Sequence, residues 1–185
     1  RQLGGEMALP KLWTPADGLI AAKKAALVAV FGTPKVGKTQ FSTRTNRTLY
    51  YCHLDPHDNI NDHLLARGKD GYTSPAYLKR FRPIPYKDLT QGAAQEYTEE
   101  IMQFAADARA ASSDGDEGLF VIDGGRRLKG YIEKWKLGES STLGFRAGPG
   151  EKGVAQVEYA ESNSFYADII NAFVGSNCHL VITFE

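Results

Sequence analysis

Apolar residues along this chain fall into two kinds of run. Ala25–Phe31, Thr48–Leu54, Leu119–Asp123 and His179–Thr183 are short, nearly continuous and rich in Val, Ile, Leu, Phe and Tyr. Runs of that length between turn residues predict strands covered on both faces, as in a parallel sheet. The segments between them carry helical spacing instead. Lys38–Thr45 is short and threonine-rich, so its intrinsic helix propensity is poor and docking on the sheet must hold it. Ile60–Arg67 reads as a short helix closed by Gly68. Thr90 is placed to cap a helix reaching Ala111, with Ala94, Tyr97, Ile101, Ala105 and Ala108 as its buried stripe. Leu128, Ile132 and Trp135 mark another helix, with Lys129, Lys134 and Lys136 on or near its polar side. A last helix is expected over Val154–Val174, with Phe165, Ile169 and Phe173 on one face and Gly175 ending it. Strands alternating with helices predict a three-layer α/β/α domain with a mostly parallel sheet.

The remaining segments are less regular. Residues 68–75 read as a turn, and Ile84–Tyr86 as a short strand between prolines. Ser112–Gly118 is a solvent-facing turn, its acidic cluster a surface feature. Residues 1–24, with Leu12, Trp13 and Pro15, form a lead-in to a domain spanning 25–185. Residues 138–153 hold Gly138, Gly144, Gly148, Gly150 and Gly153 with few apolar anchors, the composition of a flexible insertion. The chain begins with Arg and ends on a strand, so it reads as a fragment with a further strand expected beyond residue 185.

The strand-like run at 25–31 leads directly into Gly32-Thr33-Pro34-Lys35-Val36-Gly37-Lys38-Thr39, which fits the pattern Gly-x-x-x-x-Gly-Lys-Thr. A glycine-rich turn of this kind points consecutive backbone N–H groups at a phosphate, and the following helix adds its N-terminal dipole. The predicted nucleotide-binding set is Gly32 to Thr39 together with Gln40. Lys38 is expected on the β- and γ-phosphates, and the Thr39 hydroxyl on magnesium. Leu119–Asp123 is the second informative run. Four apolar residues ending in a carboxylate are what a buried parallel strand presents at its C-terminal edge. After such a loop, Asp123 is expected to hold the magnesium shell, directly or through water.

No glutamate follows Asp123; Gly124-Gly125-Arg126-Arg127 stands there. The nearest carboxylate from another strand is Asp55, at the end of the second run. It is a candidate to orient the attacking water, with Asp58 behind it; its alternative role is to cap the following turn. His53, His57 and His63 match no standard zinc spacing.

These motifs resemble the RecA-like branch of P-loop ATPases, the ASCE type, and especially the single-domain ATPases of bacterial and archaeal viruses. Gly32–Thr39 matches the phosphate loop, Thr48–Asp55 a second strand ending in an acid, and Leu119–Asp123 the Walker B strand. His179–Thr183 resembles the fourth strand, whose polar end senses the γ-phosphate. The likeness covers 25–185 and implies ATP and Mg2+ as cofactors, hydrolase activity, oligomeric assembly, and work on DNA in recombination, annealing, packaging or translocation. It also implies location in the cytoplasm, that of the host if the protein is viral. Lys38, Asp55 and Asp123 are then the catalytic candidates, with Arg126 as an arginine supplied across a subunit interface. Other P-loop classes fit less well. There is no Asn-Lys-x-Asp guanine motif, and position 33 is Thr where partitioning ATPases carry lysine.

Composition narrows the alternatives only slightly. There are 22 basic and 22 acidic side chains, so no whole-domain field favours nucleic acid, and contact with it would need a local patch. Arg126, Arg127, Lys129, Lys134, Lys136, Arg146 and Lys152 supply candidates for one. No run has the apolar length of a membrane span. Cys52 and Cys178 lie in strand-like runs without metal or redox spacing and read as buried thiols. Two other functions stay open at this point. One is a nucleotide-dependent binding or assembly protein that hydrolyses little. The other is a small-molecule kinase using Arg126, Arg127 and Arg146 as phosphate clamps.

Overall fold

A computed structural model describes residues 25–33, 35–55, 59–82, 84–138 and 154–184. Five strands form one sheet: β1 (Leu27–Phe31), β2 (Thr48–His53), β3 (Ala76–Arg80), β4 (Gly118–Asp123) and β5 (Cys178–Phe184). Their order is β1-β5-β4-β2-β3, and every neighbouring pair is parallel. Parallel neighbours need crossovers, and the connecting helices cover the faces. They are α1 (Lys38–Thr43), α2 (Ile60–Lys69), α3 (Gln91–Ala111), α4 (Gly125–Leu137) and α5 (Val154–Asn171).

Side-chain alternation divides the core in two. On one face Tyr50, Cys52, Phe120, Ile122, Leu180 and Ile182 pack against α3, α4 and α5, meeting Ile101, Ala105, Leu128, Ile132 and Ile169. On the other, Leu49, Tyr51, Val121 and Val181 pack with Ile60 and Leu64 of α2. The result is the expected three-layer α/β/α architecture. β2, β4 and β5 are buried almost throughout, whereas β1 and β3 at the margins are partly exposed. Cys52 and Cys178 are free, buried thiols, and burial pushes both pKa values up.

Several boundaries differ from the sequence-based expectation. The strand expected at Ile84–Tyr86 is absent; Tyr86–Asp88 is a single 3-10 turn. The third strand is instead β3, directly after the predicted turn. Its stretch Ala76-Tyr77-Leu78-Lys79-Arg80 lies at the sheet margin, so it does not need the continuous apolar run of an inner strand. Gly68 does not close α2, which continues to Lys69; the left-handed residue beyond it is Gly71, at φ 88°. α1 stops at Thr43 rather than Thr45. The hydroxyls of Ser42 and Thr43 both donate to the Thr39 carbonyl, in the back-bonding that makes these residues poor helix continuers. α5 ends at Asn171, short of Val174.

The helix faces hold with two changes. In α3, Thr98 joins Ala94, Ile101, Ala105 and Ala108 in the buried stripe, donating its hydroxyl to the Ala94 carbonyl, while Tyr97 is only half-buried. In α4, Lys134 was expected on the polar side but is buried. The Thr90 cap is present, its hydroxyl accepting from the Ala93 N–H. The lead-in at 1–24 and most of the predicted insertion at 138–153 lie outside the described residues.

The start of α4 is pressed hard onto β5. A Cβ on Gly125 would lie 2.5 Å from Ile182 Cγ2 and 2.7 Å from the nearest ring atom of Phe184. Ile182 belongs to the buried core and Phe184 packs against it, so the first of them in particular cannot yield cheaply. Gly125→Ala should therefore lower stability by about 1–3 kcal/mol through overpacking. A urea midpoint equal to the parent's, with the same m-value, would contradict that close approach.

Candidate active site

β1 delivers the chain into the loop at 32–37, and α1 carries it away. Among the described residues Lys35 is the one non-glycine residue with positive φ, 67°, and Gly37 follows at φ 90°. Val36 between them does not share that sign. Alternation of this kind turns successive N–H groups toward one concave side, the geometry of an anion-binding nest. A left-handed lysine is strained, and such strain is concentrated at ligand clamps. Gly37 also caps α1, and its carbonyl accepts from the Phe41 N–H at 2.8 Å.

Lys38 opens α1 and folds back over the loop. Its Nζ donates to the carbonyls of Gly32, at 2.8 Å, and Thr33, at 2.9 Å. The ammonium is thus held above the loop backbone. Thr39 is half-buried as the second residue of α1, whereas Thr33, Val36 and Gln40 are exposed. The Gln40 amide oxygen meets Arg44 at 2.7 Å, one helical turn on. Pro34 lies outside the described residues. The loop's first residue is tied to the sheet, Gly32 N–H donating to the Phe184 carbonyl at 3.3 Å.

The C-terminal edge of the sheet supplies the second half of the site. Sheet register places His53, Asp123 and Thr183 side by side on β2, β4 and β5. Parallel neighbours in register share a face, so these three form a polar rung across otherwise apolar strands. One rung lower on the same face stand Tyr51, Val121 and Val181. Asp123 is the hub. Thr183 Oγ1 donates to its Oδ1 at 2.5 Å, and the Tyr51 hydroxyl donates to its Oδ2 at 2.7 Å. His53 Nδ1 lies 3.6 Å from Oδ2, beyond hydrogen-bond length. Thr183 Oγ1 also accepts from the Gly124 N–H at 3.1 Å, linking the carboxylate to the start of α4.

Asp123 is only 4% exposed. Burial pushes its pKa up, but the His53 imidazole facing it and the hydroxyls of Thr183 and Tyr51 together hold it below the usual aspartate range. The carboxylate is therefore ionised at neutral pH inside the sheet edge. Tyr51 and His53 are not among the sequence-derived candidates for Asp123's surroundings. The signal that finds them is register: each strand must be counted back from its polar end, which needs the strand order.

The position after Asp123 is one where a side chain would be strained. Gly124 has φ 107°, in the left-handed region, and a Cβ there would lie 3.1 Å from Leu54 Cβ. Asp55 is next to this contact: Leu54 N–H donates to the Asp123 carbonyl at 2.9 Å, so Asp55 and Gly124 leave adjacent strands at one edge. The fold thus brings Asp55 to the edge that holds Asp123. Arg126 is exposed in the first turn of α4 at that same edge, and Arg127 is half-buried. His57, Asp58, Arg146 and Lys152 lie outside the described residues.

Two hollows lie elsewhere. One of about 100 Å³ is lined by Met102, Arg109, Phe165 and Ile169 between α3 and α5. Another of about 210 Å³ lies beside β1, lined by Leu27, Phe31, Tyr166 and Phe184. Neither is lined by the loop or by Asp123, and both are mainly apolar. Among the described residues no group of three or more His, Cys, Asp or Glu side chains is arranged to hold a metal. One carboxylate and one hydroxyl still suit magnesium, which keeps several waters and binds through one or two carboxylates plus substrate phosphates. Asp123 and Thr39 supply one donor of each kind. No helix among the described residues is long and apolar enough to cross a membrane. No protein-family model matches the chain, and no curated protein matches it.

Placing an acid where many ATP motors carry one should fail here. Gly124→Glu is expected to destabilise the fold by about 1–3 kcal/mol, from a strained φ and contact with Leu54. A variant folded by circular dichroism with the parent's urea midpoint would show that the backbone at 124 can rearrange.

Proposed function

We propose that this chain is a magnesium-dependent ATPase domain of the RecA-like P-loop kind, working on nucleic acid as an oligomer. The observation that carries the proposal is the loop at 32–39, with its left-handed Lys35 and Gly37 between β1 and α1 and Lys38 arched over it. Its supporting partner is the ionised Asp123 rung on β4. β5 lies between β1 and β4, so the polar end of Thr183 stands between the loop strand and the Asp123 strand. That is where a side chain sensing the γ-phosphate belongs. Lys38 would exchange the carbonyls of Gly32 and Thr33 for β- and γ-phosphate oxygens, which carry more negative charge. Magnesium would neutralise charge on the same oxygens, with Thr39 and Asp123 holding it. Asp55 would accept or orient the proton of the attacking water. Arg126, exposed beside the edge, would be the arginine offered to a neighbouring subunit's nucleotide, and the coupled process would be DNA recombination, annealing, packaging or translocation. A cytoplasmic setting, that of a host if the protein is viral, belongs to the same proposal.

ATP turnover measured with and without single- and double-stranded DNA tests it. The parent should hydrolyse ATP and respond to DNA. Lys38→Ala should bind ATP weakly and not turn it over, because the lysine meets charge that grows in the transition state. Asp123→Asn should keep some binding and lose magnesium-dependent turnover. Unchanged affinity and rate in K38A would overturn the assignment of the loop.

A second reading is a nucleotide-dependent binding or assembly protein that hydrolyses little. The geometry at Gly124 favours it, since a side chain at the position directly after Asp123 would be strained by the left-handed φ and crowd Leu54. Asp55 decides between the two. In an ATPase, Asp55→Asn should reduce hydrolysis by about 10²-fold with ATP binding retained. A parent rate that is negligible with every DNA, or a D55N rate equal to the parent's, would remove Asp55 from the chemistry.

A further inference from the structure

Among the described residues Asp123 accepts two side-chain hydrogen bonds, and only one of them has an explanation in chain connectivity. Thr183 joins Asp123 to the Gly124 N–H and so secures the turn into α4. The Tyr51 bond secures no turn. Tyr51 belongs to the apolar rung below, is fully buried, and sends its hydroxyl up to Asp123 Oδ2 at 2.7 Å. A phenylalanine would fill the same space among Leu49, Val121 and Val181 without placing a polar atom there. His53, nearest the same oxygen on the neighbouring strand position, has its Nδ1 at 3.6 Å and makes no hydrogen bond with it. The phenol is therefore what fixes the Oδ2 side of the carboxylate.

We propose that Tyr51 is a positioning residue for the cation-facing carboxylate, holding Asp123 in the orientation that meets a nucleotide-borne magnesium ion. The proposal rests on the nucleotide-binding role assigned to the loop. An ionised carboxylate has about four lone-pair sites. Tyr51 and Thr183 occupy one on each oxygen, which pins the side-chain torsion and leaves acceptor capacity on both. Partners that orient a metal-facing group in this way commonly change metal affinity or activity by roughly 10–100-fold when removed.

The test compares the parent, Tyr51→Phe and Lys38→Ala by nucleotide-induced thermal shift. ADP is titrated first in EDTA, then at fixed ADP with increasing MgCl2, and urea midpoints are recorded alongside. Y51F should bind ADP in EDTA as the parent does. It should need roughly 10-fold more magnesium for half of the metal-dependent shift, the lower end of that range. Tyr51→Met provides a second probe should the Phe variant fold poorly. A Tyr51 variant that loses stability but keeps the parent's magnesium midpoint would overturn the proposal and leave the phenol a structural group. A parent whose ADP shift ignores magnesium, or matches that of K38A, would instead remove the nucleotide reading on which it stands. The two failures are distinct, because the first appears only in the variant and the second already in the parent.

Discussion

The organisation of the sheet edge depends on one buried negative charge. Asp123 ends a strand whose other residues are apolar, and it sits where solvent reaches only 4% of its surface. A carboxylate there is costly unless its oxygens are met by donors. The surrounding strands supply two, a hydroxyl from β5 and a hydroxyl from β2 one rung down, and the His53 imidazole faces the carboxylate without bonding to it. This fixes more than one side chain. It sets the register of three strands, because a slip of one residue would send Tyr51 to the opposite face and leave the charge unmet. It also anchors the first turn of α4 through Thr183 and Gly124. The polar rung and the strand order are two views of one constraint.

Much of this was legible in the amino-acid order. The four apolar runs of the inner strands and β1, the Thr90 cap and the Gly–Lys–Thr loop each depend on local chemistry, and local chemistry can be read residue by residue. Asp123 was legible too, as a polar end to an apolar strand. What was not legible depends on neighbours. β3 looks polar because it lies at a margin. Lys134 looks solvent-facing because helical spacing says nothing about a long side chain's course among its neighbours. Tyr51 looks like one more aromatic in a strand until β4 is known to lie beside β2. Gly124 looks like a missing acid until its backbone angle and the position of Leu54 are known. In each case the deciding fact is a contact between distant parts of the chain.

The glycine pair after Asp123 shows how one strand end serves two purposes. Gly124 takes a left-handed conformation that turns the chain out of β4, and Gly125 lets α4 approach β5 closely. The sharp turn brings Arg126 to the sheet edge within three residues of the carboxylate. It also makes a side chain costly at the position directly after Asp123. Charge beside Asp123 on its own strand end therefore begins only with Arg126, on the far side of the turn.

The two halves of the site are held with unequal firmness. The rung with Asp123 lies on β4, which has strands on both sides and helices on both faces. The loop hangs from β1, which among the described residues pairs with β5 alone and leaves Leu27, Val28 and Phe31 partly open to solvent. Amides in β4 can exchange with solvent only when the sheet itself opens, whereas those of β1 are released by a much smaller local fluctuation. A phosphate gripped by the loop would then do more than occupy a pocket. Its binding free energy would be spent partly on closing that fluctuation, so a weakly secured edge strand would become one of the more slowly exchanging parts of the sheet.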